Sequence, residues 1–266
     1  MRKNLLLTAT ALMAGMMLIG CEANQPMPAM STSAALAELA GPEKSRAIQQ
    51  ALTDKDIAML LDAKVQAKLP THVAVAKLQC PPIDSGHYYR NGSGQLVTVP
   101  AGELDAIGKA IVDAVDIKGV RVVSELSEVD PRGLLHGLRV SSARMNCELL
   151  LVYLQMDAAV DNYNDAAALY WTVIGLWTVP GNTYDRRTIM QAVLFDCRTG
   201  MILGTCTAQG DATTSYAAAY KEIAYDKLSG QTPQLAFDSL QKKVGQMVGQ
   251  VVVEARKPAT AAVMGR

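Results

Sequence analysis

The stretch CELLLVYLQM, residues 147–156, is an almost continuous apolar run with the length of a β-strand. A strand that is apolar on both faces is typical of the middle of a sheet that is covered on both sides. This strand is therefore predicted to lie at the centre of a sheet, with the rest of the domain built around it.

Strands alternate with helices on the amino-terminal side of this central strand. Residues 71–80 (THVAVAKLQC) and 119–126 (GVRVVSEL) have the composition of strands, whereas residues 101–116 carry apolar side chains at helical spacing. Asp130 followed by Pro131 is a typical start of a further helix. Alternating strands and helices favour a layered α/β domain with parallel strands joined by right-handed crossovers.

A hairpin and a helix follow the central strand. Residues 188–197 and 201–209 are strand-like and flank a turn at 198–200, and Thr232-Pro233 is predicted to open the last helix. The predicted fold is α/β: a mixed sheet of about five strands in two or three layers, with flanking helices. An antiparallel hairpin and a long helix close the domain, and the central strand and the first hairpin strand are expected to run antiparallel.

The amino terminus resembles a bacterial lipoprotein signal. Arg2 and Lys3 precede an apolar run, Leu5–Ile19, that is too short for an ordinary membrane-spanning helix, and the run closes on Leu18-Ile19-Gly20-Cys21. This pattern resembles the lipobox, which implies acylation of Cys21 and cleavage before it. An ordinary signal, or a buried helix with a chance cysteine, is the alternative.

The lipobox sets the expected location and the division of the chain. The resemblance to the lipobox implies a lipid-anchored protein of the cell envelope. In enteric lipoproteins an Asp after the cysteine is the common signal for retention in the inner membrane. Glu22 stands at this position, so we expect the outer membrane, with the protein facing the periplasm. The expected segments are a signal peptide at 1–20, a tether at 21–33, a helical segment at 34–69, an α/β domain at 70–256 with an insertion at 157–187, and a disordered tail at 257–266.

The pattern CELLLVYLQ … AVLFDCRTGMILGT adds a second resemblance. A strand followed by a hairpin that carries Asp-x-x-Thr-Gly, here Asp196, Thr199 and Gly200, is similar to the α/β domain shared by curli secretion-channel lipoproteins and the amino-terminal domain of TolB. The resemblance implies an envelope protein that assembles or docks. The insertion at 157–187 departs from the simplest members, so pore formation is not carried over.

Composition argues against nucleic-acid binding. The chain has 25 basic and 25 acidic residues, and without the signal peptide 25 − 2 = 23 basic residues face 25 acidic ones. Nucleic-acid-binding domains usually carry a basic excess. Two Phe and two Trp offer little surface for stacking bases.

The cysteines and the catalytic motifs give few candidates. Cys147 begins the central strand and Cys197 ends its predicted antiparallel neighbour, so a disulfide between them is one expectation, and two buried thiols are the other. No close Cys spacing of the kind that binds a metal is present. The nucleophile-elbow, dinucleotide and phosphate-loop motifs are missing from the sequence. No catalytic residue, metal or cofactor is predicted.

The most unusual stretch is AAALYWTVIGLWTVPG, residues 166–181, which holds both tryptophans of the chain. Tyr170, Trp171 and Trp177 are its candidate contact residues. Three interpretations stay open: the stretch folds over the core, it is an apolar patch for a protein partner, or it enters the membrane interface, where Trp and Tyr are enriched.

The leading hypothesis is a non-enzymatic envelope lipoprotein. It would be a structural or assembly component of a periplasmic or outer-membrane complex, bound to the membrane through its lipid and to an envelope protein or to copies of itself. The alternatives are an oligomeric protein like the secretion channels, and an envelope hydrolase.

Overall fold

The computed structural model describes residues 65–80, 83–84, 95–112, 116–123 and 134–256. The predicted signal peptide and tether, most of the helical segment, and the tail lie outside these residues, and so does Cys21.

Seven strands and four α-helices are present in the described part of the chain. The strands are β1 Thr71–Gln79, β2 Ile83–Asp84, β3 Gln95–Val97, β4 Ile117–Val122, β5 Cys147–Tyr163, β6 Asn182–Asp196 and β7 Ile202–Tyr216. The helices are α1 Ala101–Val112, α2 Leu134–Arg144, α3 Val173–Thr178 and α4 Lys221–Arg256. Short 3-10 turns cover Asp165–Trp171 and Ala218–Tyr220.

The strands form one mixed sheet with β5 at its centre. The order is β3-β1-β5-β6-β7, and the short strands β4 and β2 pair with β1 and β5 respectively. β1 runs parallel to β4 and β5, whereas β6 runs antiparallel to both β5 and β7. The predicted α/β fold, its central strand and its closing hairpin are confirmed, with two more short strands than expected.

Helices cover both faces of the sheet, which makes three layers. On one face, α1 and α4 bury side chains such as Ile107, Leu240 and Val244 against Leu151 and Met190 of the sheet. On the other face, a second cluster includes Leu138 of α2 and the opposite side of β5. Because both faces are covered, β5 needs apolar residues at consecutive positions, which explains its sequence.

The strands extend further than their apolar runs indicate. β5 continues through 157–163 and β6 begins at Asn182, so only residues 164–181 separate them within the expected insertion at 157–187. Asp157 and Asp161 interrupt the apolar run, but they accept hydrogen bonds from Thr188 and Tyr216 beneath α4. Because this covered face carries polar side chains, the sequence pattern did not indicate that β5 and β6 continue here.

The last helix begins earlier than predicted. α4 starts at Lys221, and Pro233 lies inside it instead of opening it. Proline lacks the N–H that would bond the carbonyl four residues earlier, so it usually marks a helix start. Here the buried Thr232 hydroxyl donates to the Leu228 carbonyl (3.1 Å), and the helix is held through this point by packing on β7. The prediction of a helix start at Thr232-Pro233 was therefore wrong.

The Asp-x-x-Thr-Gly turn between β6 and β7 is ordered by one buried carboxylate. Asp196 Oδ1 accepts from the backbone N–H of Arg198 (2.8 Å) and Thr199 (3.3 Å), and Gly200 adopts a φ of 75°. The other oxygen, Oδ2, accepts from the N–H of Gln66 (2.7 Å) and Ala67 (3.1 Å). Asp196 thus ties the segment before β1 to the turn. This end of the sheet is called the base below.

No helix in the ranges that the structure describes is long and apolar enough to cross a bilayer.

Candidate contact surfaces

A surface of exposed apolar side chains lies at the end of the hairpin opposite the base. Trp171 is 73% exposed, Trp177 is 58% exposed, and Val173 and Ile174 are each 75% exposed. We call this surface the apolar tip and define it as Tyr163, Leu169, Trp171, Val173, Ile174, Trp177, Tyr220 and Ile223. Grouped exposed apolar side chains often mark a contact site, so the tip is a candidate contact surface.

Hydrogen bonds to capping side chains order the tip. Asn164 caps the 3-10 turn by accepting from the Ala166 N–H (3.0 Å), and Thr172 caps α3 by accepting from the Gly175 N–H (2.9 Å). The Tyr170 hydroxyl accepts from the Gly181 N–H (2.9 Å) and donates to the Tyr216 carbonyl (3.3 Å). Tyr170 is therefore half-buried, and its hydroxyl links Gly181 to the end of β7, while Trp171 and Trp177 are exposed.

A tyrosine and aspartate cluster joins the tip to the start of α4. The hydroxyls of Tyr216 and Tyr225 donate to Asp161 at 2.8 and 2.7 Å, and the Lys221 ammonium lies 3.2 Å from the same carboxylate. Tyr184 stacks on Tyr225 with ring centroids 4.0 Å apart. Burial, followed by other contacts that include the Asp161 carboxylate, raises the pKa of both Tyr216 and Tyr225, so these hydroxyls stay protonated donors.

Sequence reasoning found part of the tip. Trp171 and Trp177 are exposed, as both the partner and the membrane interpretations required, and Val173 and Ile174 lie in the same stretch, 166–181. Tyr163, Tyr220 and Ile223 were missed, because the ends of β5 and α4 bring them to the tip from outside that stretch.

A second surface is the outer edge of β7, the last strand of the sheet. The Cys197 N–H donates to the Glu148 carbonyl (2.9 Å), so the odd-numbered residues of β6 bond to β5 and the even-numbered ones face β7. Met190 pairs with Ala208, so the even-numbered residues of β7 bond back to β6. The backbone groups of the odd-numbered residues then point away from the sheet.

The outward direction of these groups is supported by a contact at Thr207. Its carbonyl accepts a hydrogen bond from the Lys243 ammonium (2.6 Å), which reaches round from α4. We call the outward backbone of residues 205–215 the open edge. Within the described residues, no strand pairs with it.

The side chains along the open edge are polar and exposed. They are Thr205, Thr207, Gln209, Asp211, Thr213 and Ser215. Arg187 Nε donates to Asp211 Oδ1 (2.6 Å), and the Thr213 hydroxyl donates to Asp185 (2.5 Å), which orders this face. Natural proteins usually blunt long edge strands with charges, prolines or bulges. Between 205 and 215, Asp211 is the only charged residue and there is no proline, so the edge is open to another strand except at the Thr207 carbonyl, which Lys243 contacts.

Several polar groups of the interior are paired with each other. The Lys77 ammonium lies 2.8 Å from a Glu103 oxygen, and the Tyr153 hydroxyl donates to the other (2.6 Å). Burial, followed by the Glu103 carboxylate, strongly raises the pKa of Tyr153. Asp157 accepts from Gln155 (2.9 Å) and from Thr188 (2.6 Å). No cluster of three or more potential metal ligands occurs among the described residues.

Cys147 and Cys197 lie in the same core cluster, at neighbouring strand ends as expected. Both carry free thiols in the structure. Burial raises the pKa of both thiols, for Cys197 to about 12. The disulfide between them stays a prediction.

No protein-family model and no curated protein matches the sequence. Several solved structures are similar to part of the fold. A neuraminyllactose-binding hemagglutinin homolog from Helicobacter pylori covers 73% of this chain and 95% of its own, at 10% identity and a TM-score of 0.35. The LpoB C-terminal domain from Salmonella enterica covers 57% of this chain and 90% of its own, at 11% identity and a TM-score of 0.23.

A PelC dodecamer from Paraburkholderia phytofirmans covers 71% of this chain and 93% of its own, at 10% identity and a TM-score of 0.26. With identities and TM-scores this low, the three likenesses carry no argument about what this chain does or binds.

Proposed function

We propose that the chain is a lipid-anchored component of the bacterial envelope that works by assembly and not by catalysis. The open edge carries this proposal. An extended segment of a partner protein, or of a second copy, can add to such an edge through main-chain hydrogen bonds, and alternate side chains then give specificity. The lipobox ending at Cys21 supports the envelope location.

The outward N–H groups offer a sharp test of strand addition. Replacing Gln209 by Pro removes one outward donor and leaves the bonds between β6 and β7 in place, because proline is tolerated on sheet edges. Gln209→Ala keeps that N–H and equally loses the side-chain contact to Asp211. Any difference between the two variants therefore reports the backbone donor.

The measurement is co-purification of the full chain from detergent-solubilised membranes, read by mass spectrometry and native mass. We expect the wild-type chain and Gln209→Ala to recover the same protein partner or ring, and Gln209→Pro to recover severalfold less. Thermal unfolding of the purified variants shows whether each one folds. A folded wild-type chain recovered as a clean monomer, or a folded Gln209→Pro chain with full recovery, would contradict the proposal.

A further inference from the structure

We propose that the apolar tip enters the interface of the bilayer to which the chain is tethered. This inference rests on the lipid anchoring in the proposed function, and it is independent of strand addition at the open edge. It names a lipid surface as what Trp171 and Trp177 contact, which their exposure alone does not specify.

The composition of the tip fits the membrane interface. Both tryptophans of the chain are exposed members of the tip, and so are Tyr163 and Tyr220. Trp and Tyr are enriched at membrane–water interfaces, where an apolar ring and a polar N–H or O–H are both accommodated. The aliphatic members, Val173 and Ile174, suit acyl chains better than they would suit a sugar or another polar ligand.

Charge is missing from the part of the tip that would enter lipid. The nineteen residues 166–184 contain no Asp, Glu, Lys, Arg or His. A charged side chain is costly to bury in a bilayer, so a segment without one can enter at little electrostatic cost. Asp165, Lys221 and Glu222 border the tip, which places charges at the depth of the headgroups.

Part of the backbone of the tip is already hydrogen-bonded internally. In lipid, unpaired N–H and C=O groups are penalised because no water is present to bond them. Asn164, Thr172 and Tyr170 bond the backbone where the 3-10 turn, α3 and β6 begin. An ordinary exposed loop would leave such groups to water, whereas this segment bonds these three N–H groups to its own side chains.

The tether is long enough for the tip and the lipid to share one bilayer. The described chain begins beside Asp196 at the base, and the fifteen residues of β6 separate base and tip by about 50 Å. Residues 22–33, that is 33 − 21 = 12 residues, could span about 40–43 Å if fully extended, and residues 34–64, that is 64 − 33 = 31 residues, add about 46 Å if they form the predicted helix. Together these lengths exceed the separation of base and tip. An acyl anchor then keeps the tip close to the membrane, and two attachments together hold better than one.

The two tryptophans make the test direct, because all tryptophan fluorescence comes from the tip. The lipidated full chain is reconstituted into vesicles of phosphatidylethanolamine and phosphatidylglycerol, and the Cys21→Ser chain in buffer is the reference. We expect a blue-shifted emission, severalfold weaker quenching by acrylamide, and quenching by lipids brominated near the headgroup. Because the tip is uncharged, salt and the share of phosphatidylglycerol should have little effect.

A matched pair of variants separates the tip from the anchor. Ile174→Asp should restore quenching by acrylamide while the protein stays with the vesicles through its lipid. Val253→Asp places the same charge on another exposed apolar position, near the carboxyl-terminal end of α4, and should change nothing.

Several results would overturn the inference. Tryptophans that remain open to acrylamide in vesicles would do so, as would shielding lost at high salt. Shielding that appears only with added envelope proteins would assign the tip to a protein partner, and shielding in buffer that depends on protein concentration would assign it to a second copy. If the tryptophans stay open to acrylamide but co-purification behaves as expected, membrane contact is overturned and strand addition is not. If the tryptophans are shielded by vesicles but co-purification fails, assembly is overturned and membrane contact is not.

Discussion

The Asp196 side chain joins two distant parts of the chain at the base. It is fully buried and accepts four backbone hydrogen bonds, two from residues 66–67 and two from the turn at 198–199. An Asn at this position offers one acceptor oxygen, and its amide would face backbone donors. We therefore expect Asp196→Asn to lower the free energy of unfolding by about 1–3 kcal/mol, measured by urea denaturation.

Asp238→Asn is the matched control, because Asp238 is exposed on α4, where its carboxylate accepts a hydrogen bond from the Gln234 side chain (2.9 Å). Its effect should stay within about 0.5 kcal/mol. Equal losses in the two variants would show that Asp196 has no special role.

At the residue scale, local chemistry was predictable and long-range pairing was not. The turn at Asp196, Thr199 and Gly200 is a short motif whose hydrogen bonds are mostly within it. Cys147 and Cys197 could be placed at neighbouring strand ends from register alone. The contact between Asp196 and Gln66 spans 130 positions, and no local pattern indicates it.

At the scale of elements, the seating of α4 on β7 depends on Gly210. A Cβ at this position would lie 2.3 Å from the Thr232 carbonyl oxygen and 2.7 Å from the Ala236 nitrogen, both of which are helix backbone. Backbone cannot move aside as a flexible side chain does. Gly210→Ala should therefore destabilise the fold by about 1–3 kcal/mol, measured by chemical denaturation.

Gly230→Ala provides the opposite expectation on α4 itself. Nothing lies within 4 Å of a Cβ at this position, so the variant should gain up to about 1 kcal/mol from helix propensity. A loss at Gly230 together with no loss at Gly210 would contradict this account of the contact between helix and strand.

The elements themselves were largely predictable, and their limits were not. Short apolar runs located β1 and β5, and apolar residues at helical spacing located the carboxyl-terminal half of α4, because each pattern follows from the faces that are buried. The start of α4 at Lys221 was not predictable, since Pro233 carries the local pattern of a helix start. The second half of β5 was hidden because Asp157 and Asp161 are buried polar residues whose partners come from other elements.

At the scale of the whole molecule, the predicted anchor and the folded domain make separate contributions. We expect Cys21→Ser to remove acylation and to move most of the protein from the membrane fraction to the soluble fraction. The fold should be unchanged, because Cys21 lies outside the domain. Fractionation and the intact mass of the mature chain test this expectation; an unmodified Cys21, with the wild-type chain still in the membrane fraction, would contradict it.

The arrangement of surfaces on the whole molecule was only partly accessible from sequence. The stretch 166–181 stood out by composition, and its three interpretations could be stated but not decided. The open edge was not foreseen, because a strand becomes an edge only through the order of the sheet. Likewise, Ile223 joins the tip only because α4 begins beside α3.

The hairpin formed by β6 and β7 acts as a spacer of fixed length between the tip and the base. With the tip in the bilayer, about 50 Å of paired strand, stiffened along one side by a 36-residue helix, would carry the turn at Asp196 away from the lipid headgroups. The open edge would then run away from the membrane along this length. The position along β7 at which a partner strand pairs would therefore set the distance of that partner from the membrane.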